Sequence, residues 1–505
     1  MRRTQLDLAV IGNSRIGALI DTRASIVWCC VPRFDGDPVF CALVDDDATH
    51  GRFDITLDGG AVSEQAYERN SAVLRSVART SGVEGGGDAI EIIDFAPRFL
   101  LRGRMFAPVT LVRIVRPLAG RPRIRVRFAP RCEHGAKMAP LSWGSHHIRA
   151  QVPGYPLRLT TDAPITPVIE ELPLILDRPL TFILGPDESL AESPLEAGRW
   201  MLEQTLTYWR RWVRNLAIPF EWQEAVIRAA ITLKLNTFDD TGAVIAALTT
   251  SIPEARDSGR NWDYRYCWLR DAYFVINALN RLGSTGSMER YLRYLEGIVA
   301  DAGAQAELPL QPVYGLSGQA QLDETEQPAL RGFRGMGPVR TGNLAYAQRQ
   351  HDAYGAAILG VAHAFFDARL DRPGDDALLA ELERLGERAF ALHDVPDAGI
   401  WEFRGRTAVH TFSALMCWAA CDRLARVASH RGEATRAAHW RDRAGTVRAA
   451  IEARAWNPAL NAFVAEMPPD GARSDMLDAS LLLMGELDFL RADDPRLAGT
   501  VRAIE

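Results

Sequence analysis

Asn261-Trp262-Asp263-Tyr264-Arg265-Tyr266-Cys267-Trp268-Leu269-Arg270-Asp271 sets two tryptophans, two tyrosines, two arginines and two aspartates in one segment. An ordinary core helix does not need that density of charge beside aromatic rings. A sugar-binding cleft does: flat rings stack on the apolar face of a pyranose, and charged forks hydrogen-bond its hydroxyls. A domain-core motif built around a buried Arg–Asp pair is the competing reading, and spacing alone leaves both open. Upstream lies a breaker-rich stretch, 251–259, and downstream an apolar run, 272–282, with helical spacing. Arg270 and Asp271 therefore fall at a loop-to-helix junction, where polar side chains can face a cleft.

Outward from this segment the two directions differ. Toward the C-terminus the chain reads as successive helices over 222–236, 271–282, 287–299, 348–366, 376–392, 412–429, 436–454 and 475–483. The loops between them are alternately short and long, and the long one over 307–343 is rich in Gly and Pro. Antiparallel helix pairs with long loops at one end fit an α/α toroid, and long loops are where function concentrates. Toward the N-terminus, short apolar runs at 26–31, 39–44, 89–95, 109–115 and 123–128 read as strands. In the last of these Ile124, Val126 and Phe128 alternate with arginines, the period of a half-buried strand. Gly85-Gly86-Gly87 and Ala119-Gly120-Arg121-Pro122 separate the runs, and strands without intervening helices predict an antiparallel sandwich. Between the halves, Ser193-Pro194 opens a long amphipathic helix that ends near Ala217-Ile218-Pro219. The expected division is a β-sandwich over 1–190, a linker helix over 191–217 and a helical domain over 218–505.

Of the 505 residues, 47% are hydrophobic and 24% charged, the balance of a soluble globular protein. A net charge of −6 argues against nucleic acid or a membrane surface as partner. No stretch is long and apolar enough to span a bilayer. Met1-Arg2-Arg3 is followed by no continuous apolar region, so no signal peptide is expected. The seven cysteines show no zinc-like spacing, and Cys417 and Cys421, one helical turn apart in an apolar run, read as packing. A reduced, cytoplasmic setting is the expectation.

Two further stretches carry chemistry. Gly335-Met336-Gly337-Pro338-Val339-Arg340-Thr341-Gly342-Asn343 offers Arg340 and Asn343 as hydrogen-bonding groups on a glycine-rich loop that lacks phosphate-loop spacing. A structural turn reads equally well there. Asp397-Ala398-Gly399-Ile400-Trp401-Glu402-Phe403-Arg404 sets Glu402 between two bulky rings just before a helix. An apolar setting raises a carboxyl pKa and suits a general acid; the alternative is an exposed acid on a surface loop.

With these residues in view, the chain resembles the family 15 glycoside hydrolases, the group of glucoamylases, glucodextranases and bacterial trehalases. The matching stretches are Leu8-Ala9-Val10-Ile11-Gly12-Asn13, Val31-Pro32-Arg33-Phe34-Asp35, 262–271, 338–343, 399–404, and Met416-Cys417-Trp418 with Asp422-Arg423. They keep the family's order, and the N-terminal ones resemble its trehalase-like N-terminal domain. The resemblance implies a β-sandwich, a helical linker and an (α/α)6 toroid. It implies hydrolysis of α-glucosidic bonds with inversion, releasing glucose from trehalose or α-glucan oligosaccharides, without cofactor or metal. Carried over by position, Glu402 is the general acid, Arg270 and Asp271 hold the non-reducing glucose, and Trp268, Trp401 and Arg340 line the same subsite.

Two departures from the family pattern shape the expectations. Where the family has Ser-Lys, Ser413 is followed by Ala414, which removes a cleft cation. The family's sequence normally continues past the point matched by Ile504-Glu505, and that continuation holds the last toroid helices and the general-base glutamate. Glu466 is the nearest glutamate here but lies outside the family's base motif. The expectation is an incomplete toroid with little or no turnover. A glycoside phosphorylase of the same architecture, with phosphate in place of the activated water, and a non-catalytic sugar-binding fragment are the alternatives.

Overall fold

The computed structural model describes residues 5–45, 49–80, 87–304, 309–469 and 472–505. Met1-Arg2-Arg3, Gly85, Gly86 and Glu307 of the sequence reading lie outside them.

Alternating apolar residues in the first part form two antiparallel sheets. One runs in spatial order Leu8–Gly12, Gly17–Asp21, Ile26–Val31, Arg52–Leu57, Arg123–Ala129 and Leu174–Ile175, with Asp37–Phe40 also paired to Ile26–Val31. The other runs Leu141–Trp143, His147–Ala150, Leu157–Thr161, Leu180–Pro186, Leu111–Ala119, Ala89–Phe95, Leu74–Thr80 and Gly60–Tyr67. Side chains from both sheets, such as Ile11, Phe53 and Val126 against Leu111, Ile90 and Phe182, share one core. This is the antiparallel sandwich. The run expected as a strand over 39–44 divides instead: the strand stops at Phe40 and a 3-10 turn follows, Ala42–Val44. Cys41 and Ala42 both donate their backbone N–H to the Gly51 carbonyl, which bends the chain out of the sheet.

The linker helix is Pro194–Arg214, capped by Ser193, whose Oγ accepts from Glu196 N–H and donates to its carboxylate. Its Trp209 is buried against Ala72 of the sandwich and against Ile231 and Leu235 of the next helix, Gln223–Leu235. A knot of charge lies beside it. Asp239 receives Lys234 Nζ at 3.0 Å, Arg98 Nη1 at 2.6 Å and Arg290 Nε at 3.5 Å, joining sandwich and helical part. Burial, reinforced by Arg98, pushes the Lys234 amine down to about 7. Burial alone would raise Asp239, but its three cations hold it far below the usual carboxylate range.

The helical half is a toroid of paired helices. Leu269–Arg281, Asp352–Phe366 and Thr411–His430 form an inner row, each packing on the next. Outer helices Thr285–Ala304, Asp376–Leu392 and Ala434–Ala455 follow them in turn. The inner helices touch closely because small residues line them: a Cβ on Gly355 would come within 2.3 Å of the Met416 carbonyl oxygen. The helix expected over 475–483 is not one. Met476 offers its carbonyl to Ala465 N–H, and the Asp478 side chain caps a 3-10 turn, Ala479–Leu482, before the short helix Leu483–Glu486. A helix at Pro495–Ile504, capped by Asp494, lies beyond the elements read from the sequence. The one expected from residue 348 begins later, at Asp352, leaving Gln348 and Gln350 outside the helix.

Candidate active site

At the N-terminal end of Leu269–Arg281 opens a cavity of about 410 Å³ lined by Glu254, Arg260, Tyr264, Trp268, Arg270, Asp271, Ile400, Trp401 and Glu402 with Ala246. The segment 261–271 supplies one wall, and it divides the two readings that spacing left open. Asp263 and Arg265 are its buried structural pair, at 2.7 Å, with Arg265 Nη1 also donating to the Gly36 carbonyl at 2.9 Å. Tyr266 accepts Gly342 N–H and packs with Trp268 in a small apolar cluster. Arg270 and Asp271, one turn further on and at the start of Leu269–Arg281, face the cavity.

Glu402 sits on the opposite loop. Its N–H donates to the Gly399 carbonyl, Phe403 N–H donates to that of Ala398, and Glu402 itself takes a left-handed φ of 54°. Such a φ costs a non-glycine residue roughly 1–2 kcal/mol, and the turn's hydrogen bonds hold it there. The carboxyl is 18% exposed. Its Oε1 accepts the indole N–H of Trp268 at 2.5 Å and the amide of Gln350 at 3.2 Å, with Arg270 Nη2 at 3.9 Å. Burial raises the Glu402 pKa above that of a free glutamate; the Arg270 charge and the bonds from Gln350 and Trp268 oppose this and leave a net rise. The result is a carboxylic acid that holds its proton at higher pH than usual and opens onto a cleft.

Arg270 is fixed from several sides. Nη1 donates to Gln350 Oε1 and to Asp352 Oδ2, both at 3.1 Å, and Nη2 lies 3.3 Å from Asp271 Oδ2. Asp352 is buried; Asp271 remains about half exposed, its oxygens open to a ligand. Trp401 lines the cavity at 53% exposure, its indole N–H donating to Asp478 Oδ2 at 2.6 Å. Cavity walls of this kind offer ring faces and charged forks together, the pairing that a pyranose binds.

Arg340 stands apart. It does not line the cavity; its Nη1 donates to the carbonyls of Gly259 and Asn261 at 3.2 and 3.0 Å, Nε and Nη2 face Glu324 and Glu326, and the guanidinium lies over Trp262. Its contacts brace the 261–271 segment from behind. Ser413 donates to buried Asp397, and Ala414 is buried. Glu466 is paired with Arg406 and likewise does not line the cavity. Glu254 and Arg260 on the cavity wall and Gln350 on the acid itself carry no role in the motifs singled out above, and Tyr264 enters there only as one ring of the 261–271 segment. Tyr264 donates to Glu254 at 2.9 Å, and Arg260 reaches the same carboxylate at 2.5 Å. Polar Gln348-Arg349-Gln350 directly before an apolar helix was the available signal for Gln350. Among the described residues no group of three or more His, Cys, Asp or Glu is placed to hold a metal, and no helix is long and apolar enough to cross a membrane.

The family model "Glycosyl hydrolases family 15" matches residues 222–505, and "Trehalase-like, N-terminal" matches residues 4–164. The chain is 33% identical to the trehalase of Mycolicibacterium smegmatis, over 99% of this chain and 76% of that protein. It is 32% identical to the trehalase of Mycobacterium tuberculosis, over 99% and 75%, and 27% identical to that of Thermoplasma volcanium, over 98% and 77%. A solved bacterial glucoamylase complexed with acarbose shares the fold, with a TM-score of 0.67 at 14% identity, covering 100% of this chain and 78% of that one.

Proposed function

The chain belongs to glycosyl hydrolase family 15, and from that premise we propose that it cleaves trehalose by an inverting mechanism with Glu402 as general acid. It is a trehalase-like glycoside hydrolase acting on α-glucosides. The observation that carries the mechanistic reading is the Glu402 carboxyl, its pKa raised by burial, held by Trp268 and Gln350, and facing the same cavity as Arg270 and Asp271.

In this reading Arg270 and Asp271 hold hydroxyls of the glucose whose anomeric carbon reacts. Glu402 gives its proton to the bridging oxygen as that oxygen leaves. Water adds to the anomeric carbon from the opposite face and loses a proton to a base, and Glu402 is reprotonated for the next cycle. The cationic Arg270 beside Glu402 steadies the carboxylate left after proton donation. Trehalose opened this way yields one β-glucose, from the attacked ring, and one α-glucose. Following the anomeric protons by NMR during the first turnovers tests the reading. Equal α- and β-glucose is expected; two α-glucoses would overturn inversion, and glucose phosphate formed only with phosphate would replace hydrolysis by phosphorolysis.

We infer further that the residues described here supply the acid half of this chemistry. The carboxylates lining the cavity beside Glu402 are Glu254 and Asp271. Glu254 accepts from Tyr264 and Arg260, and Asp271 lies against Arg270. Turnover by the 505 residues is expected to be slow, and azide, a nucleophile that needs no deprotonation, should raise it and give β-glucosyl azide. Fast turnover indifferent to azide would overturn this point. A cytoplasmic setting belongs to the same proposal, supported by seven free, buried cysteines.

A further inference from the structure

Asp397 touches neither the cavity nor Glu402, yet it is fully buried and every oxygen of its carboxylate is used. Oδ2 accepts the backbone N–H of His351 at 2.8 Å and the Ser413 hydroxyl at 2.7 Å. Oδ1 lies 2.8 Å from His410 Nδ1; a carboxylate oxygen can only accept, so the proton is on Nδ1. His351 and His410 are the residues that open two inner helices, Asp352–Phe366 and Thr411–His430. One carboxylate thus ties the loop to two helix N-termini, whose dipoles favour an anion there.

These ties bracket the acid. On one side, Asp397 closes the base of the 397–408 loop through its own backbone, N–H to the Ala408 carbonyl at 2.9 Å and carbonyl from Ala408 N–H at 3.1 Å. The His410 ring it orients packs under the same loop. That ring stacks on Phe403 at 5.9 Å and 21°, and lies so close under Gly399 that a Cβ there would meet its Cε1 at 2.7 Å. On the other side, the bond to His351 N–H fixes the residue next to Gln350, and Gln350 holds Glu402 Oε1. The strained turn that carries Glu402 and the amide that grips it are both referred to this one buried group.

We propose that Asp397, acting through His410 and His351, is a positioning residue for the general acid: it sets where the Glu402 proton is delivered without touching substrate. The proposal rests on the role given to Glu402 above. Its signature is selectivity for reactions that need leaving-group protonation. Trehalose needs it, because an alkoxide leaves poorly; α-glucosyl fluoride does not, because fluoride leaves unaided.

The test compares the parent chain with Asp397→Ala, Asp397→Asn, His410→Phe and Glu402→Gln on both substrates, with azide present throughout so that the outcome is independent of the base. Asp397→Ala is expected to lower kcat on trehalose about 100-fold, and Asp397→Asn and His410→Phe about 10-fold, the scale of a misplaced proton donor. KM for trehalose and turnover of α-glucosyl fluoride should each stay within about 3-fold, since binding and attack are untouched. Equal losses on both substrates, or a rise in KM alone, would reduce Asp397 to a structural anchor, and unchanged trehalose turnover in the Asn and Phe variants would overturn the proposal. Should the Ala variant not fold, the Asn and Phe variants decide. If Glu402→Gln itself fails to separate the two substrates, the role of Glu402 has failed, and with it the ground on which Asp397 is placed.

Discussion

Trp268 donates its indole N–H to Glu402 Oε1 at 2.5 Å across 134 positions of sequence, so a buried ring on one loop and the acid on another act as one unit. The bond favours the ionised carboxylate and offsets part of the rise that burial imposes. Trp268→Phe keeps an aromatic ring, though a smaller one, and removes the donor. Glu402 should then hold its proton to still higher pH, and the alkaline limb of kcat/KM should move upward. A pH–rate profile read from parent and variant checks this; an unmoved or lowered limb would uncouple the two residues.

Glu402→Gln should cost about 10²–10⁴-fold in turnover of trehalose while leaving sugar affinity nearly intact. It should also stabilise the fold at neutral pH. A carboxyl whose folded pKa lies above its unfolded value binds more protons when folded, so stability falls as pH rises from the unfolded pKa through the folded one, and stays reduced above it. The neutral amide escapes that loss. Melting curves at pH 4 and pH 7 should nearly coincide at the first and favour Gln at the second.

Arg270→Lys tests the fork. A lysine has one nitrogen for the work of two, and cannot reach Gln350, Asp352 and Asp271 at once. Expected is a fall of about 100-fold in kcat/KM on trehalose, the loss of about 2.7 kcal/mol of transition-state stabilisation, with weaker glucose binding by calorimetry. Parent-like binding and turnover would make Arg270 a scaffold residue.

Asp239→Ala would leave Lys234, Arg98 and Arg290 facing one another without their shared anion. Breaking a buried pair from one side typically costs about 3–5 kcal/mol. The urea midpoint should fall accordingly. Lys234→Met, which removes a cation that burial already disfavours, should change it little or raise it. The order reversed would locate the junction's stability elsewhere.

The parts of this fold that could be read in advance are those where local pattern and burial agree. The strand Arg123–Ala129 alternates as its burial does, and Asp376–Leu392 lies where its apolar spacing put it. At 475–483 an apolar run was present, but Asp478 turned its side chain back onto Ser480 N–H and won the backbone from the helix. Of the candidate site, Arg270, Asp271 and Glu402, singled out where motif and chemistry coincide, do line one cavity. Gln350 was hidden because extending the helix back to residue 348 would have wrapped it into the first turn. Arg340 shows the converse: its place in a glycine-rich loop does not reveal that two carbonyls and two glutamates occupy its guanidinium. Asp397 has no local pattern at all, since its three partners lie in segments that only folding brings together.

Arg265 belongs to the segment that builds the cavity wall, yet its guanidinium ends on the Gly36 carbonyl and Cys30 Sγ of the sandwich. Gly36 has no room for a side chain, since a Cβ would fall 2.1 Å from the Val31 carbonyl oxygen. For recombination between relatives this joins distant stretches into one heritable block. A chimera whose crossover falls between the sandwich and residue 265 inherits a working junction only if both parents shaped the 31–36 turn alike; otherwise the buried Arg265 Nη1 keeps Asp263 as the guanidinium's partner but loses its sandwich acceptor, and the cavity wall goes slack even though no residue of the cavity has changed.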